Sequence, residues 1–282
     1  MQISFDELMR LEKVFDDHFT TVAPDGDYRR MFGGLLAAQA LAGAAATVDD
    51  RPCHSLHLLF MRSGLPKLPM EIKVDRLRDG RSFSARHVRI SQNDHDLVTA
   101  LCSFHGGDDG PAFSTIMPDV PPPESLSDQL DIRRVNAASG GRTLRPFLVE
   151  SMLDIRAQDL PADEWPEGVP TRFFWFRSRR SISQSPLAHQ FAIAFASDLG
   201  LVHVGVLPHR VATGTHFDLT SLDHTIWFHR PALVDDWLLY VQQNTFSAEG
   251  RGLSHGAIFS KHGERVASVA QEILIRYGKT SD

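Results

Sequence analysis

The stretch from Phe32 to Ala46 reads Phe-Gly-Gly-Leu-Leu-Ala-Ala-Gln-Ala-Leu-Ala-Gly-Ala-Ala-Ala. Its alanine and leucine content gives it high helix propensity. Apart from Gln39 it is apolar on every side. A helix with no polar face has to be buried on most sides, so other elements must wrap it. Gly33 and Gly34 at its start carry no Cβ, so another backbone or a ligand can come close there.

Strand-like runs follow: His54 to Met61, Met70 to Arg76, Phe83 to Ile90 and Leu97 to Phe104, with the turn residues Gln92, Asn93 and Asp94 before the last. A buried helix followed by antiparallel-looking strands is an α+β pattern. Before the helix, residues 5–20 are weakly amphipathic and fit helix or strand, and Ala23 to Asp27 is a loop by composition. Residues 106–145 are rich in proline and glycine and read as a linker. The programme then repeats. Phe147 to Arg156 and Thr171 to Arg177 are expected as strands, Leu187 to Leu199 as a mostly apolar helix, and Thr225 to His229, Trp237 to Gln243, Leu253 to Phe259 and Val266 to Ile275 as strands. Asp79-Gly80-Arg81-Ser82-Phe83-Ser84 aligns with Glu249-Gly250-Arg251-Gly252-Leu253-Ser254, Arg62 with Arg230, and Ser91 to Asp94 with Ser260 to Gly263. Shared order and spacing of this kind argue for two copies of one helix-plus-sheet unit. The boundaries expected are a first domain over 1–108, a linker over 109–145 and a second domain over 146–282.

The copies differ where chemistry is concerned. In the last strand Ala267, Val269, Gln271, Ile273 and Ile275 share one parity, which puts a carboxamide on an apolar face. The first copy has Cys102 or Ser103 there. In Leu219 to Pro231, Ser221, Asp223, Thr225 and Trp227 also share a parity, and buried polar groups of that sort must be hydrogen-bonded. Ser221 and Asp223 fall opposite Cys53 and Ser55. Chemistry built on these positions belongs to the second copy or its interface.

Other classes are disfavoured. The net charge of −6 over 282 residues does not suit a nucleic-acid binder. The apolar runs are short and interrupted, so no membrane insertion is expected. The first residues lack the basic and apolar regions of a signal peptide, and with reduced cysteines a cytoplasmic setting is expected. Cys53 and Cys102 fit no zinc or redox spacing. His54 and His57 on a strand would point to opposite faces, as would His224 and His229, so no metal or other cofactor is expected. The cluster Arg177 to Arg180 reads as a solvated loop. No strand-bound Gly-x-Gly-x-x-Gly is found.

Five segments together resemble the type II acyl-CoA thioesterases: Phe32-Gly33-Gly34 opening an alanine-rich helix, His54-Ser55-Leu56-His57, Arg78 to Arg86, Asp223-His224-Thr225-Ile226-Trp227-Phe228-His229-Arg230-Pro231, and Val269-Ala270-Gln271-Glu272. The resemblance implies two tandem hotdog domains, each a long helix wrapped by a curved antiparallel sheet. It implies acyl-CoA as substrate, hydrolysis without metal or covalent acyl-enzyme, and a homo-oligomer. It also implies that an Asp, a hydroxyl residue and a Gln hold the attacking water. By motif these are Asp198, Ser221, where the family has Thr, and Gln271. Serine keeps the hydroxyl. The helix continues Gly33-Gly34-Leu35 rather than Gly-Gly-Gln, and Arg62-Ser63-Gly64 replaces Arg-Pro-Gly.

A thioester carbonyl is electrophilic and a thiolate leaves readily, so the chemistry needs a positioned base and an oxyanion donor. Asp198 is the expected base, with Ser221 and Gln271 directing the water. From the residues alone Asp223 is as good a base as Asp198; the resemblance prefers Asp198. Gly33 and Gly34 are expected at the substrate, and Arg81, Arg86 and Arg251 as partners of the CoA phosphates. Alternatives on the same scaffold are a non-catalytic acyl-CoA or lipid binder and an enoyl-CoA hydratase/dehydratase.

Overall fold

The structure is a computed structural model that describes residues 3–21, 31–132, 148–209 and 217–278. In the first copy α1 (Phe5–Met9), β1 (Leu11–Phe15) and β2 (His18–Thr21) precede the apolar helix α2 (Gly33–Ala45). Strands β3 (Cys53–Phe60), β4 (Glu71–Asp79), β5 (Phe83–Gln92) and β6 (His95–His105) follow it. The second copy has α3 (Leu148–Met152), β7 (Leu153–Asp159) and β8 (Thr171–Ser178), then the apolar helix α4 (Pro186–Ser197) and the short α5 (Leu201–Val204). Its remaining strands are β9 (Phe217–Ser221), β10 (Asp223–Phe228), β11 (Leu238–Ala248), β12 (Arg251–Ser260) and β13 (Arg265–Tyr277).

All the strands form one antiparallel sheet, joined at its centre by β3 and β10, with Leu56 opposite Ile226. Outward from that seam the order is β6, β5, β4, β2, β1 on one side and β13, β12, β11, β8, β7 on the other. This is the tandem hotdog arrangement. The aligned segments fall at equivalent places: Asp79 to Ser84 and Glu249 to Ser254 at the β4–β5 and β11–β12 hairpins, Ser91 to Asp94 and Ser260 to Gly263 at the next pair. In the β11–β12 turn both Glu249 (φ 52°) and Gly250 (φ 73°) are left-handed, the geometry that matches the twist of a tight hairpin.

Helices α2 and α4 pack on each other inside the sheet, and the residues of α2 from Gly34 to Ala44 are buried. A Cβ at Gly34 would lie 2.1 Å from the Phe195 carbonyl oxygen, so the two backbones meet there because that residue is glycine. Gln39 does not face water; its Nε2 donates to the Leu8 carbonyl and ties α1 to the core helix. The helical run Pro186–His209 is long and apolar enough by composition to cross a membrane, which corrects the reading of the apolar runs as too short. Gly200, at φ 80°, breaks it, and two thirds of its apolar window is buried inside the fold.

Several expectations change. Residues 5–20 hold a helix and then a hairpin, because Ser4 and Glu7 form a reciprocal capping box that starts α1. The strand expected over Phe147 to Arg156 begins as helix α3: Leu148 and Met152, four apart, both face the core. Ser221 and Asp223 do not lie on one straight strand. Ser221 pairs with Ile273 and Thr225 with Ala270, so three residues face two across the gap, a bulge. A second irregularity in β3 between Cys53 and Ser55 leaves both His54 and His57 on the outer side, against Ser103 and Thr225 respectively. The expected loop over Ala23 to Asp27 and the expected boundary at 145/146 lie outside the described residues.

In the described part of the expected linker, residues 109–116 are exposed throughout, with Phe113 and Ile116 more than nine-tenths exposed, and apolar packing starts at Met117. Trp175 Nε1 donates to the Pro121 carbonyl at 2.9 Å, and Met117, Val120 and Leu126 cover a cluster of Phe173, Trp175, Trp237, Leu239 and Phe259. Asp128 accepts two bonds from Arg179 Nη2, both at 2.8 Å. Arg177 pairs with Asp154 and lies over the Trp237 ring, so the Arg177 to Arg180 segment is held by acids and an aromatic ring.

Candidate active site

Asp198 caps the C-terminus of α4, where the helix dipole disfavours a carboxylate. The opposing end of α2 compensates. That helix opens without a side-chain cap, and its Gly34 N–H donates to Asp198 Oδ2 at 3.0 Å. A Cβ on Gly33 would sit 2.8 Å from the same oxygen and 3.0 Å from Phe60 Cζ. The glycine pair therefore lets the two helix ends approach with the acid between them. Asp198 is buried, and Oδ1 has no hydrogen-bond partner among the described residues. Burial pushes its pKa up to about 7, against the downward pull of the Gly34 N–H and the Gln271 side chain.

Gln271 comes from the middle of β13 and is fully buried. Its Nε2 donates to Ser221 Oγ at 2.9 Å. The bulge makes this contact possible, since it turns Ser221 to the same side of the sheet as His224 despite opposite parity. Asp223, the other candidate base, accepts the Glu272 N–H at 2.7 Å on Oδ1 and holds the bulge. Asp198, Ser221 and Gln271 thus gather at one place, with Gly33 and Gly34 closing it.

Two residues that the sequence reading passed over extend this group. His224 is fully buried, with Nδ1 2.6 Å from Gln271 Oε1 and Nε2 2.8 Å from Ser197 Oγ. Ser197 precedes Asp198 and closes back onto the Ala194 carbonyl at 2.8 Å. Burial pushes the imidazole pKa down to about 4, so the ring is neutral in neutral solution. The signal in the sequence was parity: His224 alternates with the core residues Ile226 and Phe228. Tyr240 donates to the Ser197 carbonyl at 2.6 Å, and Gln242 Nε2 donates to that of Leu199. These bonds satisfy the carbonyls at the end of α4.

The first copy fills the equivalent place differently. Thr47 closes onto the Ala44 carbonyl as Ser197 does onto Ala194, and Val48 follows where Asp198 stands. Arg86, 1% exposed, donates to Thr47 Oγ1 at 2.7 Å, to the Thr47 carbonyl at 2.9 Å and to Asp79 at 2.7 Å. That corrects the expectation for Arg86: its guanidinium caps the end of α2 and is enclosed, so it has no face for a phosphate. Arg251 is half exposed and pairs with Glu272 at 3.2 Å. Arg81 is exposed, and its carbonyl accepts from Arg51. Neither reaches Asp198, Ser221 or Gln271 through any hydrogen bond among the described residues. No group of three or more His, Cys, Asp or Glu able to hold a metal ion occurs among the described residues.

Comparison with known proteins identifies the family to which the chain belongs. A family profile described as "Acyl-CoA thioesterase" matches residues 165–274, and one described as "Acyl-CoA thioesterase N-terminal domain" matches 23–105. Acyl-coenzyme A thioesterase 8 of Homo sapiens is 34% identical over 88% of this chain and 81% of its own length. Acyl-CoA thioesterase 2 of Haemophilus influenzae is 30% identical over 96% of both. The crystal structure of an acyl-CoA thioesterase II from Mycobacterium marinum superposes with a TM-score of 0.81 at 33% identity, covering 98% of this chain and 99% of that one. With relatives of this identity spanning nearly its whole length, the chain belongs to the type II acyl-CoA thioesterase family and is an acyl-CoA hydrolase.

Proposed function

We propose that this chain hydrolyses acyl-CoA by direct attack of a water molecule held between Asp198, Ser221 and Gln271. The observation that carries this reading is the half-satisfied acid: one Asp198 oxygen takes the Gly34 N–H and the other has no partner among the described residues, beside an amide–hydroxyl pair. A carboxyl with a pKa of about 7 is poised to take a proton near neutral pH and return it. Asp198 accepts a proton from the water as the water oxygen bonds to the thioester carbon. Ser221, accepting from Gln271, keeps its own O–H to aim the water. The carbonyl electron pair moves to oxygen, for which the Gly33 N–H, in the first turn of α2 that no side chain caps, is the proposed donor. Collapse of that intermediate breaks the C–S bond, and the proton on Asp198 goes to the departing thiolate. The products are a carboxylic acid and CoA.

A hydratase/dehydratase reading is less well supported. The dehydratase domain of PpsC from Mycobacterium tuberculosis shares the fold at 13% identity, but such chemistry would need a histidine facing substrate, and both His224 nitrogens are bound to Ser197 and Gln271. A single turnover in 18O-labelled water tests the mechanism. Release of CoA thiol with one labelled oxygen in the product acid and none in the protein is expected. Unlabelled acid with label in the protein would show instead an anhydride on Asp198 opened at the Asp198 carboxyl carbon.

A further inference from the structure

We propose that His224 is a positioning residue of this site: bridging Ser197 Oγ and Gln271 Oε1, it sets which end of the Gln271 carboxamide is turned towards Asp198 and Ser221. The inference rests on the proposed role of Gln271 and adds a residue that touches neither water nor substrate.

Donors and acceptors decide the orientation of the carboxamide. A neutral imidazole has one N–H and one lone pair. Gln271 offers Oε1 to His224 Nδ1 at 2.6 Å and Nε2 to Ser221 Oγ at 2.9 Å. Nδ1 must therefore carry the proton, and Nε2 accepts the Ser197 O–H at 2.8 Å. In the other tautomer Nε2–H would donate to Ser197, whose own proton would go to the Ala194 carbonyl at 2.8 Å. Nδ1 would then be a bare lone pair, and the carboxamide would have to invert to meet it. Inversion would turn Oε1, an acceptor, towards the Asp198 carboxylate and remove the donor that now favours its charged form. A neutral ring bonded at both nitrogens thus holds the amide in its productive sense. The same ring links the strand that carries Gln271 to the helix end that carries Asp198. The first copy has Leu56 and Cys102 at the equivalent inward positions, and no such relay.

The test compares His224→Phe, which keeps a ring but no donor, with His224→Asn, whose amide nitrogen takes the place of Nδ1–H. In His224→Phe, kcat for acyl-CoA hydrolysis is expected to fall roughly 10–100-fold, the scale of a misdirected donor, with KM changed less than about threefold. His224→Asn is expected to recover most of that loss. The acid limb of kcat/KM is expected to move to higher pH in His224→Phe, as in Gln271→Ala, because Asp198 loses an amide donor; Tyr240 is the other titratable group at that acid. In a Gln271→Ala background His224→Phe is expected to cost nothing further. Losses that multiply in the double variant, an unmoved acid limb, or no rescue by asparagine would overturn the proposal. If His224→Phe does not fold, Ser197→Ala, which removes the Nε2 partner, is expected to give a smaller loss, again absent in the Gln271→Ala background. A loss of equal size with and without Gln271 overturns the proposal. Full activity of Gln271→Ala would instead sink the reading of Gln271 itself, so the two failures are told apart.

Discussion

The Gly34 N–H and Asp198 Oδ2 lie 3.0 Å apart across 164 positions of sequence, and this bond joins the start of one copy's core helix to the end of the other's. It makes the site a property of the paired copies. Alanine at Gly34 would press against the Phe195 backbone, which cannot swing away, so Gly34→Ala is expected to destabilise the fold by about 1–3 kcal/mol or more. Alanine at Gly33 meets the Asp198 carboxylate and the Phe60 ring, both side chains. Gly33→Ala is therefore expected to lower kcat more than it lowers Tm. Thermal unfolding and steady-state thiol release on both variants check the contrast.

The raised pKa of Asp198 has consequences in two measurements. In kcat/KM, activity is expected to rise about tenfold per pH unit below about 7 and then level, as the base ionises. In stability the sign is opposite to that of an ordinary carboxylate. An acid whose folded pKa lies above its unfolded value favours the fold below pH 3.8, and that contribution is lost as pH rises to about 7. Asp198→Asn is therefore expected to be more stable than the parent at pH 8, by on the order of 4 kcal/mol, with the difference shrinking between pH 7 and pH 4. Denaturant unfolding at three pH values across that window tests it.

His224 acts the other way. Its folded pKa of about 4 lies below the ordinary 6.5, so its contribution to stability is present above pH 6.5 and lost as pH falls towards 4. His224→Asn is expected to remove that part of the acid sensitivity, leaving a flatter unfolding free energy between pH 6.5 and 4.

Arg86 and Ser221 separate structure from chemistry. Removing the enclosed Arg86 guanidinium leaves Asp79 and Thr47 without their partner, so Arg86→Met is expected to lower stability by a few kcal/mol while KM for acyl-CoA stays within about twofold. Ser221→Thr keeps the hydroxyl that accepts from Gln271 and is expected to hold kcat within a few-fold. Ser221→Ala removes it and is expected to cost about tenfold or more. Denaturant unfolding of Arg86→Met and initial rates of thiol release on the three variants decide both points.

The fold was legible because its constraints are repeated. Two apolar helices with no polar face each demand a wrapping sheet, and the hairpin segments at Gly80 and Gly250 recur in order. Gln271 was legible as a carboxamide on an apolar strand face. What strand parity could not show was the bulge beside Leu222, because one extra residue exchanges the faces of everything that follows it. That exchange hid the contact of Ser221 with Gln271, although the parity of His224 with Ile226 and Phe228 was open to reading. Arg86 misled for a related reason. An arginine in a strand gives no sign that its guanidinium reaches a helix end such as Thr47, which is a matter of packing between distant segments.

The most direct test of the central claim is the rate of thiol release from acyl-CoA by Asp198→Asn, set beside Asp223→Asn in protein confirmed to be folded. A loss of roughly 10³-fold or more is expected for Asp198→Asn, since an amide cannot take the proton, and a loss below about tenfold for Asp223→Asn, whose amide oxygen can still accept the Glu272 N–H. Near-parental turnover in Asp198→Asn, or the larger loss falling on Asp223→Asn, would contradict that claim.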